Sequence, residues 1–299
     1  MPAQKTPTHF LNKLILLLYY LCIVQFKYSS STNTYQRKKR RFNLRFVLGL
    51  LPVLIYFEIL INNVELQFSS NLTFFLETGL ALYIYLAAIL VFTIIISNRI
   101  NEHRYVLLFN LLDKFYKNLD FQDQKHWKES FAQKLIFVEI VYRFIVMVYR
   151  NFSHSVAQKS LVNALSHCFV YYMSVIVIVS EGTFLFTGLA IGKYFSHLNK
   201  KLYSSCYEKQ IRLIMRQHQN LYDLALLFNK TYSVVLLMLN GFYFVTILLR
   251  IMFVYCNMQV QKDLFVNVEI VGICFSLLKL TWLITISDDC AAKVIFMFN

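Results

Sequence analysis

Proline and glycine are scarce in this sequence, with only three prolines and seven glycines among 299 residues. Because tight turns rely on both residues, a fold of many hairpins, such as a membrane barrel, is disfavoured. Charged residues are also few, at 15%, whereas apolar residues make up 58% and aromatic residues 17%. Together with a mean hydropathy of +0.51, this composition argues strongly against a soluble domain.

The residue patterns of common catalytic and metal sites are missing as well. The six cysteines form no C-x-x-C pair and suggest no disulfide framework, and the seven histidines are scattered. No Ser/His/Asp set and no glycine-rich phosphate loop is recognisable. We therefore expect no enzyme activity, no cofactor and no metal.

What the chain does contain is a series of apolar blocks. They lie near residues 10–26, 45–62, 78–98, 134–150, 161–192, 230–256 and 265–287. Most approach or exceed the roughly 20 apolar residues that cross about 30 Å of hydrocarbon. Since lipid leaves no partner for exposed backbone groups, these blocks should be helices. The prediction is a single all-α, multi-pass membrane domain over residues 1–299, with six spans from residue 45 onward and a short N-terminal apolar segment.

Basic residues alternate between the connections. Lys and Arg number six in residues 37–45, seven in 99–134 and seven in 193–230, against none in 63–77, two in 150–160 and one in 257–264. Basic loops stay on the cytoplasmic side, so both chain ends are expected in the cytoplasm. The net charge of +14 then reflects topology and attraction to the anionic inner leaflet of the lipid bilayer, and no nucleic-acid partner is expected.

The first block, Phe10 to Phe26, leaves the topology open. If it crosses the bilayer, the chain has seven spans with its N-terminus outside. If it lies in the interface as an amphipathic segment, six spans remain. A cleaved signal peptide is disfavoured, because Lys13 interrupts the apolar region and no small-x-small site follows. We favour the interfacial interpretation.

Two glycosylation sequons lie in the charge-poor connections. They are Asn71-Leu72-Thr73 and Asn151-Phe152-Ser153, and both fit an extracellular location.

The block 161–192 is about 48 Å long at about 1.5 Å per residue. It is therefore expected to tilt or to project into the cytoplasm as a long fourth helix.

Several ionisable residues fall inside the predicted spans, where they mark partners or a functional path. Arg250 and Glu269 should lie in the outer half of consecutive spans, where they can form an interhelical pair. A second interpretation is that the outer set lines a ligand cavity, since aromatic neighbours suit alkaloid-like or other amphipathic organic molecules. The candidate ligand-binding residues are Tyr142, Arg143, Tyr149, Tyr171, Tyr172, Phe242, Phe244, Arg250 and Glu269.

The overall layout resembles that of the insect gustatory receptors, which share a chemoreceptor superfamily with the odorant receptors. The resemblance extends over residues 8–293 and is one of arrangement rather than of a single motif. Its parts are the apolar segment Phe10–Tyr20, the span opening Arg45-Phe46-Val47-Leu48-Gly49, the helix from Leu202 to Leu221, its end Leu227-Phe228-Asn229-Lys230-Thr231-Tyr232, and Ile286-Ser287-Asp288-Asp289-Cys290 after the sixth span.

The resemblance implies a chemosensory receptor that acts as a ligand-gated cation channel for small organic tastants. It implies a tetramer of like or different gustatory receptors, a cytoplasmic N-terminus, and a place in the dendritic plasma membrane of a sensory neuron. The family's seventh-span signature, Thr-Tyr, five apolar residues and Gln-Phe, has no match here. Thr231-Tyr232 is followed by Met238-Leu239 where Gln-Phe should stand. We therefore expect this sequence to form no pore by itself.

Two other classes are weighed beside this one. A G-protein-coupled receptor needs the first block to span, and the sequence has neither an Asp-Arg-Tyr after the third span nor an Asn-Pro-x-x-Tyr. With Pro2, Pro7 and Pro52 as the only prolines, the proline-kinked helices of that class cannot be built. A transporter or membrane enzyme is the third possibility, but no inverted repeat, broken helix or catalytic set supports it.

Overall fold

The fold consists of eight helices and one short hairpin within the part of the chain that is described. The computed structural model describes residues 7–29, 32, 34–37, 44–63, 71–118, 127–155, 161–204, 207–259 and 263–295. In order, the elements are α1 (Pro7–Tyr20), β1 (Phe26–Ser29), β2 (Thr34–Arg37), α2 (Leu44–Asn63), α3 (Asn71–Ile100), α4 (Glu102–Asn118), α5 (Trp127–Ser155), α6 (Leu161–Ser204), α7 (Glu208–Gln259) and α8 (Asp263–Ile295).

Helix α6 is the centre of the bundle. Its most apolar stretch is 89% buried, whereas those of α7 and α8 are 28% buried. The unbroken buried run Val175–Gly188 has no exposed face, as expected of a helix surrounded by others, and it includes the buried polar residues Ser180, Glu181, Thr183 and Thr187. At 44 residues, α6 is about 66 Å long. It therefore extends beyond the predicted fourth block, which ended at residue 192. Because α6 occupies the centre, its neighbours α7 and α8 have a large apolar surface left to face lipid.

Among the described residues, three helices are long and apolar enough to cross a membrane, and they become four if the bent pair α3–α4 counts as one span. The three are Cys168–Ser204, Glu208–Cys256 and Glu269–Asp288. Helix α5 carries Lys134, Glu139 and Arg143 in its middle, and the apolar stretch of α2 is short, Leu44–Tyr56. The candidate spans support a multi-pass helical membrane protein. Because α5 is charged in its middle and the apolar stretch of α2 is short, the count of six spans stays a prediction.

The chain bends by 72° between α3 and α4. Asn101 lies at the bend, and its amide donates from Nδ2 to Ser97 Oγ at 3.3 Å. Asn favours such local hydrogen bonds over helix continuation. Across the bend, Arg99 Nη1 contacts Glu102 Oε2 at 2.8 Å, which ties the end of α3 to the first turn of α4.

The first apolar block forms α1, which packs against α6. Leu11, Leu14, Ile15 and Leu18 are buried on one face, in the i, i+3, i+4, i+7 pattern of an amphipathic helix. The Phe10 and Phe186 rings lie 4.7 Å apart. With 14 residues, α1 is about 21 Å long and too short to cross the hydrocarbon core alone.

A two-stranded antiparallel hairpin follows α1, an element that was not predicted from the sequence. Phe26 pairs with Arg37 and Ser29 with Thr34. Phe26 packs on the rings of α4, and the Tyr35 amide donates to Asn110 Oδ1 at 2.7 Å. Asn110 Nδ2 donates back to the Tyr35 carbonyl at 3.2 Å. Burial, with a smaller contribution from a nearby acidic side chain, raises the pKa of the Tyr35 phenol, which therefore stays neutral.

The turn after α1 fixes the position of α2. Cys22 adopts φ 64°, and its carbonyl oxygen would lie 2.8 Å from a Cβ placed on Gly49. The Tyr172 hydroxyl donates to the Leu21 carbonyl at 3.1 Å. A residue without a side chain at position 49 thus lets α2 approach the α1 turn closely.

Candidate functional site

A small cavity lies where α3, α5, α6, α7 and α8 meet. Its volume is about 30 Å³, room for about one or two waters. Typical small-molecule sites are about 300–1,000 Å³, so an organic molecule can enter only if side chains move. The cavity is lined by Tyr83, Ala87, Glu139, Arg143, Val170, Met173, Ser174, Val177, Ile178, Phe242, Tyr243 and Lys279.

A buried charge cluster forms one end of this cavity. Lys279 Nζ of α8 lies 2.5 Å from Glu139 Oε2 of α5 and 2.7 Å from Glu181 Oε2 of α6. The Tyr243 hydroxyl of α7 donates to the same Glu181 oxygen at 2.7 Å, and Lys279 donates to the Tyr243 oxygen at 3.2 Å. The side chains of the lysine and both carboxylates are 6% exposed or less. One ammonium group therefore links four helices.

Arg143 lies one helical turn after Glu139 and faces the same cavity. Its Nη2 atom is 3.8 Å from Glu139 Oε1, a looser ion pair than those of Lys279. Arg143 also hydrogen-bonds the Tyr83 side chain of α3. Its Nε atom is buried without a hydrogen-bond partner. Two cations and two carboxylates thus balance in the cluster, but the arginine is less fully paired than the lysine.

A separate ion pair joins α7 to α8. Arg250 Nη1 donates to Glu269 Oε2 at 2.6 Å, with the two side chains 12% and 16% exposed. This is the interhelical pair that was predicted from the sequence. A Cβ on Gly272 would overlap the Arg250 guanidinium, so the absence of a side chain there lets the arginine cross α8 toward its partner.

A larger cavity, of about 310 Å³, lies between α4, α6 and α7. Its lining combines apolar Leu111, Phe115 and Leu198 with Lys114, Gln217, Asn220 and Asp223. The lysine, Asn220 and the aspartate are exposed, and these residues fall in the two stretches that the basic-residue pattern predicts to be cytoplasmic. By that predicted topology, this cavity lies on the side of the membrane away from an extracellular ligand.

Comparison with known families decides the class of the protein. The family model of the 7tm chemosensory receptors matches residues 8–294. The chain belongs to the 7tm chemosensory receptor family. No curated protein matches it.

Within the described part of the chain, only two of the nine predicted ligand-binding residues line the small cavity of the receptor. Arg143 and Phe242 line it. Among the others, Tyr142 stacks on Phe275 at 5.7 Å, and Phe244 is 58% exposed.

Two more predicted residues, and the sequons, lie elsewhere. Tyr171 contacts Phe144 edge-on at 5.9 Å, and the Tyr172 hydroxyl is bound to the turn after α1. The Tyr149 side chain lies outside the described residues. The side chains of Asn71 and Asn151 also lie outside the described residues. Asn71 is the first residue of α3 and Asn151 is near the end of α5, so both sequons start at helix ends.

Sequence reasoning missed Tyr83, Glu139, Tyr243 and Lys279 as residues of this receptor's cavity. A usable signal existed, because Glu139, Glu181 and Lys279 are ionisable groups in apolar blocks. Their meeting from three different helices depends on helix rotation, which the pattern did not specify. Within the described segments, no group of three or more His, Cys, Asp or Glu residues is arranged to hold a metal ion.

Proposed function

We propose that this receptor is a gustatory receptor and a subunit of a ligand-gated cation channel that binds a small organic tastant. By this proposal it lies in the dendritic plasma membrane of a sensory neuron, with a cytoplasmic N-terminus. It assembles as a tetramer with copies of itself or with other gustatory receptors. The arrangement of the whole chain, its family and its basic loops support the proposal.

The tastant is proposed to bind in the small cavity beside the charge cluster. The observation that carries this placement is that aromatic side chains and buried charged groups share one wall there. The Phe242 and Tyr83 rings lie 5.8 Å apart, and Arg143 reaches the same space. A few oriented polar groups among apolar and aromatic ones are typical of small-molecule sites. Separating the two rings would enlarge the cavity.

Matched phenylalanines on α7 provide the test. The receptor is co-expressed with candidate partner receptors in cultured cells, and a tastant panel is screened by whole-cell current. We expect Phe242→Leu to raise the half-maximal concentration of an active tastant at least about tenfold, because a ring contact and its buried area are lost. Phe244→Leu, two residues away and exposed to the surroundings, should leave it unchanged. Equal effects of the two variants would argue against the cavity.

The mode of signalling needs its own experiment. A channel should respond within an excised membrane patch that contains no GTP, because the ligand itself opens the pore. A response that disappears without GTP would instead favour a G-protein-coupled receptor. Surface labelling of the N-terminus in unpermeabilised cells would point the same way, since that class places its N-terminus outside.

A further inference from the structure

We infer that the cavity beside Arg143 selects ligands that carry an anionic or strongly hydrogen-bond-accepting group, such as a carboxylate, over ligands that carry an amine. The inference rests on the proposed ligand cavity and specifies the chemistry of what it takes. It differs from the expectation of an alkaloid-like ligand, which came from the aromatic residues alone.

The first argument is the charge of the wall. Among the described lining residues, Arg143 and Lys279 are cations and Glu139 is the one carboxylate. Glu139 lies between both cations, 2.5 Å from Lys279 Nζ and 3.8 Å from Arg143 Nη2. The carboxylate that balances the count, Glu181, is not part of this lining. A ligand in the cavity is therefore in direct contact with two cations and one carboxylate, although the cluster as a whole is balanced.

The second argument is which cation has donors to spare. Lys279 has three N–H donors and three oxygen neighbours, on Glu139, Glu181 and Tyr243. Arg143 has five N–H donors, a long ion pair and a hydrogen bond to Tyr83. Its Nε–H is buried without an acceptor, and a buried unsatisfied donor is unfavourable. A ligand oxygen would supply the acceptor.

The third argument is the response to a ligand amine. An ammonium group in the cavity would be repelled by Arg143 and Lys279. Its only counter-charge in the lining would be Glu139, whose two oxygens already contact Arg143 at 3.8 Å and Lys279 at 2.5 Å, so the ammonium group would have to take over the contact of one of these cations. Breaking that contact leaves a buried charge without its partner, which is strongly unfavourable. The aromatic rings alone do not offset this, because cation–π contacts are weaker than a desolvated ion pair.

The test uses three probes with one phenylpropyl skeleton, namely 3-phenylpropionate, 3-phenylpropionamide and 3-phenylpropylamine. Dissociation constants are obtained from ligand-dependent thermal stabilisation of the purified receptor in nanodiscs. This measurement needs no current, so a failure of the channel proposal and a failure of this inference remain distinct. We expect the carboxylate to bind about tenfold to a hundredfold more tightly than the amine, with the amide between them.

Variants locate the preference. Arg143→Gln should remove it, and the variant should still fold because Lys279 continues to hold Glu139. Arg143→Lys should keep the order with a smaller ratio, since it retains the charge but not the guanidinium geometry. Arg216→Gln, an exposed arginine of α7, is the matched control and should behave as the unmodified receptor. Tighter binding of the amine, equal binding of the three probes, no saturable binding at all, or a preference that survives Arg143→Gln would overturn the inference.

Discussion

Replacing Lys279 by methionine should be among the most damaging single changes in this receptor. Lys279 contacts Glu139 at 2.5 Å and Glu181 at 2.7 Å, and all three side chains are 6% exposed or less. Methionine has a similar volume but no charge, so both buried carboxylates would lose their closest cation, and only the 3.8 Å contact of Arg143 with Glu139 would remain. Breaking a buried ion pair by removing one member costs about 3–5 kcal/mol. Uptake of a proton by either carboxylate limits that cost.

An energy of that size corresponds to about two to four orders of magnitude in the folded-to-unfolded ratio. Changes of even about 1–2 kcal/mol alter cellular abundance several-fold. We therefore expect surface biotinylation of Lys279→Met to fall at least several-fold. Lys230→Met, an exposed lysine on α7, should match the unmodified receptor. In each case the surface signal is divided by the total amount of the same epitope-tagged receptor in the cells.

The decisive comparison is a neutral cluster. The double variant Lys279→Met, Glu181→Gln removes one charge of each sign and leaves Arg143 and Glu139, which pair with each other. It should recover much of the lost surface expression, because the cluster is again balanced. The reasoning would be refuted if Lys279→Met were expressed as well as the unmodified receptor. It would equally be refuted if this balanced double variant were expressed no better than Lys279→Met alone.

Three further outcomes are expected. Arg250→Ala and Glu269→Ala should lower surface expression to similar extents, and the double variant should cost less than their sum, whereas strict additivity would exclude the pair. Gly49→Ala should destabilise the purified receptor in a thermal assay by about 1–3 kcal/mol, because its Cβ would press on the Cys22 carbonyl. Gly241→Ala meets no atom within 4 Å and should be neutral or stabilising. Epitope tags at the two chain ends should stain only after permeabilisation, and surface staining of an N-terminal tag would reverse the topology.

Much of the helical content could be predicted from the sequence, because apolar blocks in lipid have few other solutions. Most of the joins between elements could not be predicted in this way. One join is an exception: the resemblance implied that the helix before the fifth span runs into it, and α7 is one continuous element over residues 208–259. The start of that helix was wrong, because Leu202 belongs to the end of α6. The hairpin was missed because its strands are only four residues each and adjoin a basic run. Its stability comes from α4, through Phe26 and Asn110, rather than from local pattern.

The candidate site was predictable only in its residue types. An ionisable group in an apolar block signals a partner, and Glu181 and Lys279 are two such groups. The pattern did not give the rotation of each helix, which decides whether a side chain faces lipid or the bundle. Phe242 and Phe244 show the limit, because both were equal candidates and only the first lines the cavity. Aromatic content alone could not separate them.

The unbroken length of α7 has a mechanical consequence. Tyr243, which touches the charge cluster, and His218, which packs edge-on against Phe195 of α6 at 4.8 Å, are on the same rod. They are about 37 Å apart along its axis at about 1.5 Å per residue. A tilt of about 5° at the cavity would displace the far end by about 3 Å, roughly the rise of two residues. A ligand that tilted α7 by this angle from the proposed cavity would therefore move the end of the helix that packs against α4 and α6.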